Sequence, residues 1–136
     1  LERLGLSGAV EPIQSDGGAA LAGRRFDGVL IDAPCSNTGV LAGRPEARWR
    51  FGPQSQRELS GLQERLLEQG SGLVRPGGRL VWSTCSIEPG ENQARVAAFL
   101  RAHPGWVLEA VHEARPDFET GPVDGGYAAR LRAPAG

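Results

Sequence analysis

The chain contains two cysteines, in the strings DAPCS (residues 32–36) and STCS (residues 83–86), and each is followed by serine. A thiolate is a strong nucleophile even when only a small fraction of the thiol is ionised, so it can add to an electron-poor carbon. A carboxyl group such as that of Asp32, three residues before Cys35, can protonate or hydrogen-bond a ring nitrogen and draw electrons from the carbon under attack. Two thiols and a carboxyl group in one crevice would activate a pyrimidine. The bland alternative is that both cysteines are small apolar packing residues.

Each cysteine follows a run of strand-forming residues. GRRFDGVLIDAP predicts a strand at 26–32, whose continuous VLI suits burial on both faces. RLVWSTCS, after a turn at RPGG, predicts a second. Between them a helix is expected from Ser55 to Val74, with Ser55 and Glu58 spaced as a capping box and Leu59, Leu62, Leu66, Leu67, Leu73 and Val74 forming the apolar stripe. Gly61, Gly70 and Gly72 oppose that helix. SGAVEPIQSD predicts a short strand ending near Asp16, and residues 89–102 a helix burying Val96, Phe99 and Leu100. GWVLEAV and GGYAARLRA predict two last strands, separated by a loop rich in Pro and Gly from 114 to 126.

Strands alternating with helices imply an α/β fold with a mainly parallel sheet flanked by helices, and ligands bind beyond the carboxyl ends of such strands. Asp16, Asp32 to Ser36 and Ser83 to Ser86 all fall at that edge. A single intervening helix makes the two cysteine-bearing strands neighbours, so both thiols are expected to face one crevice.

At 136 residues, with 40% hydrophobic and 23% charged residues, the chain reads as one soluble globular domain. No apolar run approaches the ~20 residues of a membrane helix, so a cytoplasmic location is expected and a structural disulfide is not. His103 and His112 lack zinc-ligand spacing relative to the cysteines, so no metal is expected. All fifteen basic residues are arginine, yet the net charge is -1, and attraction to nucleic acid must come from a local patch. Arg44, Arg48, Trp49 and Arg50 interleave cations with an aromatic ring, which suits phosphate contact and base stacking as well as it suits a solvated loop with a half-buried tryptophan. The absence of methionine and the start at Leu1 predict an excerpt of a longer protein.

FDGVLIDAPCSNTGVLAGRPEARWRF and LVRPGGRLVWSTCSIEPGENQARVAAFL resemble the two signature blocks of the NOL/NOP/Sun group of RNA cytosine-C5 methyltransferases. RPEARW and DGGYAARL are most similar to its bacterial Sun branch, which acts on 16S ribosomal RNA. The resemblance implies a Rossmann-like, S-adenosylmethionine-dependent methyltransferase domain of which residues 1–136 are the C-terminal half. The glycine-rich cofactor loop and the RNA-binding region that it implies would lie upstream. The chain alone is therefore expected to bind cofactor weakly and turn over little.

The same resemblance implies roles for individual residues. Cys85 would add to C6 of cytosine, Asp32 would assist at N3, and Cys35 would help release the product once C5 has taken the methyl of S-adenosylmethionine. Asp16, Asp32 and Pro34 would contact that cofactor. The partner would be RNA, with the target base turned out of its stack. Gly126 departs from the aromatic residue of many relatives, while Tyr127 keeps one aromatic. Three rival readings are a transfer-RNA cytosine-C5 methyltransferase sharing both blocks, a noncatalytic RNA-binding relic, and a thiol redox protein, which would prefer the absent C-x-x-C.

Overall fold

Strand β1 (Phe26–Asp32) forms at the VLI run, and β2 (Val74–Thr84) lies parallel beside it, with Val29 opposite Leu80 and Asp32 opposite Ser83. The computed structural model describes residues 2–6, 8–15, 19–117 and 123–136. Between the strands run the single turn α1 (Ala47–Arg50) and the long helix α2 (Pro53–Ser71). After β2 come α3 (Gln93–Ala102), β3 (Val107–Ala114) and β4 (Gly126–Arg132). The sheet order is β1-β2-β4-β3.

The α/β class is as expected, but the sheet is mixed rather than mainly parallel. β4 runs antiparallel to both β2 and β3. The cause lies in the connections: a parallel pair requires a long crossover, which α2 supplies between β1 and β2, whereas no helix lies between β3 and β4 among the described residues.

Helix α2 starts at Pro53, where a missing N–H costs nothing. Ser55 is therefore the third helical residue and not the cap. Its hydroxyl accepts from the Gly52 N–H at 3.1 Å and donates to the Gly52 carbonyl at 3.0 Å, closing the helix start from inside. Glu58 instead accepts from the Gln54 amide at 3.0 Å. Gly70, which disfavours the helix locally, is buried where it meets β1, and a Cβ there would press into the Ile31 side chain. Packing thus outweighs propensity at that position.

Leu67, Val96 and Phe99 from the helices meet Leu80, Trp82, Ala129 and Leu131 from the sheet to form the core. These apolar contacts are the main stabilising term. Among the described residues one sheet face is covered in this way. On the opposite face Leu30 is 68% exposed, and Arg79, Arg130 and Arg132 converge there on Glu109, whose carboxyl they hold below the usual carboxylate range, Arg79 foremost.

The strand expected to end near Asp16 is not seen among the described residues. Residues 8–15 make a turn and then chain without strand pairing, with Val10 and Ile13 exposed. RPGG is an irregularity within β2 rather than a free turn, since the register with β1 jumps between Phe26 and Gly28. Gly126 pairs with Ala114 and packs on the Thr84 carbonyl, and Tyr127 is buried, so β4 forms without a second aromatic.

Candidate active site

Because β1 and β2 are parallel and end in register, Asp32 and Ser83 bring both following loops to the same sheet edge. One further bond, Ala33 N–H to Ser83 O at 2.9 Å, carries the pairing a step past the strands. Pro34 follows, and β1 goes no further. The next residue is Cys35, and its Sγ lies 3.3 Å from Cys85 Sγ, both cysteines being free thiols.

The loop after Cys35 turns at Asn37, which adopts left-handed backbone angles (φ 59°) that asparagine tolerates better than most residues. Its side chain then bridges the two cysteines. Asn37 Nδ2 donates to the Cys35 carbonyl at 3.0 Å, and Asn37 Oδ1 accepts from Cys85 Sγ at 3.0 Å. Two residues on, the Gly39 N–H donates to the Cys85 carbonyl at 3.0 Å, and the Gly39 carbonyl accepts from Gly125 N–H at 2.7 Å. A Cβ at position 39 would run into the Gly125 and Cys85 carbonyls, so only glycine permits this approach.

The serine after each cysteine ties one loop to the other. Ser36 Oγ and Ser86 Oγ are 3.1 Å apart, and Thr38 Oγ1 completes a triangle at 3.3 and 3.2 Å.

Beyond the strand ends opens a cleft of about 780 Å³, lined by Asp32, Pro34, Cys35, Asn37, Arg44 and Cys85 among others. A smaller hollow of about 350 Å³ shares Cys35, Asn37 and Arg50 with it and is walled by Phe51, Leu59 and Leu62. Asp32 is exposed in the cleft and its carboxylate makes no hydrogen bond or ion pair among the described residues. It is free to meet a ligand. Burial, reinforced by the neighbouring Cys85, pushes the Cys35 thiol from an ordinary value near 9 up to about 12. Cys35 is therefore a neutral S–H at physiological pH.

The structure brings together Asp32, Pro34, Cys35 and Cys85 in this way, together with Arg44 and Arg50. Asp16 lies outside the described residues. Trp49 is not half-buried: it is 82% exposed, with the Arg48 guanidinium 5.5 Å from its ring centre. Among the described residues no group of histidines, cysteines and carboxylates could hold a metal ion, and no helix is long and apolar enough to cross a membrane.

Sequence reasoning missed Asn37, Gln63, Glu91 and Asn92. Gln63, Glu91 and Asn92 are buried polar residues, and nothing in a single sequence separates a buried glutamine from a surface one. Asn37 did carry a signal, since an asparagine followed by Thr-Gly after a strand suits a left-handed turn.

The sequence profile described as 16S rRNA methyltransferase RsmB/F matches residues 1–125. The chain belongs to that family. It is similar to the ribosomal RNA small subunit methyltransferase B of Sodalis glossinidius, at 37% identity over 96% of this chain and 32% of the relative. A probable ribosomal RNA small subunit methyltransferase B of Synechocystis is 40% identical over 74% of this chain and 22% of its own length. The chain thus spans about a third or less of these curated relatives. Among solved structures it is similar to NSun6 of Pyrococcus horikoshii with SFG, at a TM-score of 0.81 and 26% identity over 97% of this chain and 36% of that one. That likeness extends the Rossmann-like methyltransferase fold to this chain's α/β sheet.

Proposed function

We propose that the chain carries the reacting side chains of an S-adenosylmethionine-dependent RNA cytosine-C5 methyltransferase acting on 16S ribosomal RNA. The observation that carries this reading is the contact of the two sulfurs, 3.3 Å apart, in a cleft that also presents the uncommitted carboxylate of Asp32. The family, and relatives described as small subunit ribosomal RNA methyltransferases, support the choice of RNA.

Cys85 loses its proton to solvent and adds through the thiolate sulfur to C6 of the cytosine, forming an S–C6 bond as the C5–C6 double-bond electrons shift toward C4 and N3 and make C5 electron-rich. Asp32, as the carboxylic acid, donates its proton to N3 and so offsets the negative charge that the attack places on the ring, taking the proton back when the ring double bond re-forms. Asp32 and Pro34, at the end of β1, would hold S-adenosylmethionine, which would supply the methyl group for C5 and leave as S-adenosylhomocysteine. With the C5 proton lost to solvent in the open cleft, the electrons of that C–H bond re-form the ring double bond and expel Cys85 as a thiolate. The neutral Cys35 S–H, 3.3 Å away, hydrogen-bonds the departing sulfur. It thereby favours release over renewed attack.

The division of labour between the thiols gives the test. In protein expressed from its complete reading frame, Cys35→Ala should remain covalently bound to ordinary substrate RNA, and Cys85→Ala should neither methylate nor bind covalently. Normal methylation by Cys85→Ala would refute the assignment.

A further inference from the structure

Holding two loops so that their sulfurs touch requires more than the cysteines themselves. Glu91 and Asn92, consecutive residues in the turn before α3, are both buried and reach opposite ways. Glu91 faces the Cys35 loop. Its carboxylate accepts from the Ser36 N–H at 3.1 and 3.2 Å, from Ser36 Oγ at 2.7 Å, and from Gln63 Nε2 at 3.4 Å. Gln63, fully buried on α2, also donates to the Pro34 carbonyl at 3.0 Å, so the same cluster grips that loop on both sides of Cys35.

Asn92 faces the Cys85 loop. Its Oδ1 accepts from Thr84 Oγ1 at 2.6 Å and its Nδ2 donates to the Ser86 carbonyl at 2.8 Å, one residue to either side of Cys85. The turn carrying both is pinned to β2 by the Trp82 indole N–H, which donates to the Glu91 carbonyl at 3.0 Å.

A carboxylate 6% exposed, with no arginine paired to it among the described residues, is a costly means of tethering a loop. Neutral groups would tether it with less desolvation. What a carboxylate adds is strong, short hydrogen bonds converging on one point, and here that point is the residue after Cys35.

We propose that Glu91 and Asn92 are positioning residues that together set the separation of the two sulfurs, each holding one cysteine loop against a shared turn. The consequence for catalysis rests on the reading given under Proposed function, but the geometric claim does not. A shift of about 1 Å in a reacting group can cost on the order of 100-fold in rate.

The separation can be read without methylation. Diamide takes two electrons and two protons from a thiol pair and closes a disulfide at a rate set by how readily the sulfurs meet. In protein expressed from its complete reading frame, Glu91→Ala and Asn92→Ala should each close the Cys35 to Cys85 disulfide at least tenfold more slowly than the native protein. Glu91→Gln, which keeps one oxygen to accept from Ser36, should recover most of the rate. In methylation assays the alanine variants should lose kcat with KM for RNA unchanged.

Native closure rates in Glu91→Ala and Asn92→Ala would overturn the proposal. If either alanine variant fails to fold, Ser36→Ala removes the 2.7 Å bond to Glu91 together with the Ser36 contacts to Thr38 and Ser86, and a native closure rate there would overturn the Glu91 half equally. Absence of methylation by the native protein would refute the functional reading while leaving the disulfide measurement to judge the positioning claim.

Discussion

Cys35 and Cys85 are chemically alike but differently placed, and the difference is one of surroundings. Burial and the adjacent sulfur hold Cys35 as a neutral thiol, with its pKa pushed up to about 12. Above pH 9 the unfolded chain sheds this proton while the folded chain retains it. The contribution of this group to stability is thus intact below about pH 9 and is lost as pH rises toward about 12. Alkylation followed by peptide mapping should find native Cys35 slow at pH 9 and faster only toward pH 12, whereas denatured protein reacts readily at pH 9. Equal rates in the two states would contradict the assignment. Asp32 has no partner to lose among the described residues, so Asp32→Asn should leave the melting temperature unchanged while lowering methylation by about 10²–10⁴-fold, the range usual for a positioned acid or base.

Elements rather than residues decide whether these groups meet. Parallel pairing of β1 with β2 delivers both loops to one edge, and α2 makes that pairing possible by bridging the strands and covering them. Leu67, the α2 leucine buried in the apolar core, should cost about 2–5 kcal/mol when replaced by alanine, measured from the denaturant midpoint. Gly39 is where the two loops cross. Gly39→Ala forces carbonyls of Cys85 and Gly125 apart and should lower methylation by about 100-fold through displacement of the sulfurs. Strands at 26–32, 107–114 and 126–132 were legible in the sequence because their apolar runs are short and bounded by Gly or Pro. The start of α2 was not, since Ser55-x-x-Glu58 matches a capping box yet Pro53 begins the helix two residues earlier. Strand direction was partly legible: the stretch from 114 to 126 reads as a Pro- and Gly-rich loop with no crossover helix, which suits an antiparallel pair, but the alternation of the earlier elements pointed to a mainly parallel sheet.

For this chain as a whole, a net charge of -1 supplies no general attraction to the RNA proposed as substrate. Arg44 and Arg50 line the cleft, and Arg48 and the exposed Trp49 stand beside them on α1. Replacing Arg44 and Arg50 by alanine should weaken RNA binding and flatten the dependence of log Kd on log salt by about 0.7 per arginine that contacts a phosphate. An unaltered slope would remove this rim from the RNA path. The convergence of Asp32, Cys35 and Cys85 was readable before any coordinates, because two strand-end motifs flanking one helix can meet only at a common edge. The buried bracket of Gln63, Glu91 and Asn92 was not, because burial of a polar side chain is a property of the assembled fold. The most direct test of the central claim is covalent trapping on RNA carrying 5-fluorocytosine, with the linked peptide identified by mass spectrometry in protein expressed from its complete reading frame. Attachment of RNA to Cys85, abolished in Cys85→Ala, is the predicted result, and attachment through Cys35 or an undiminished adduct in that variant would contradict it.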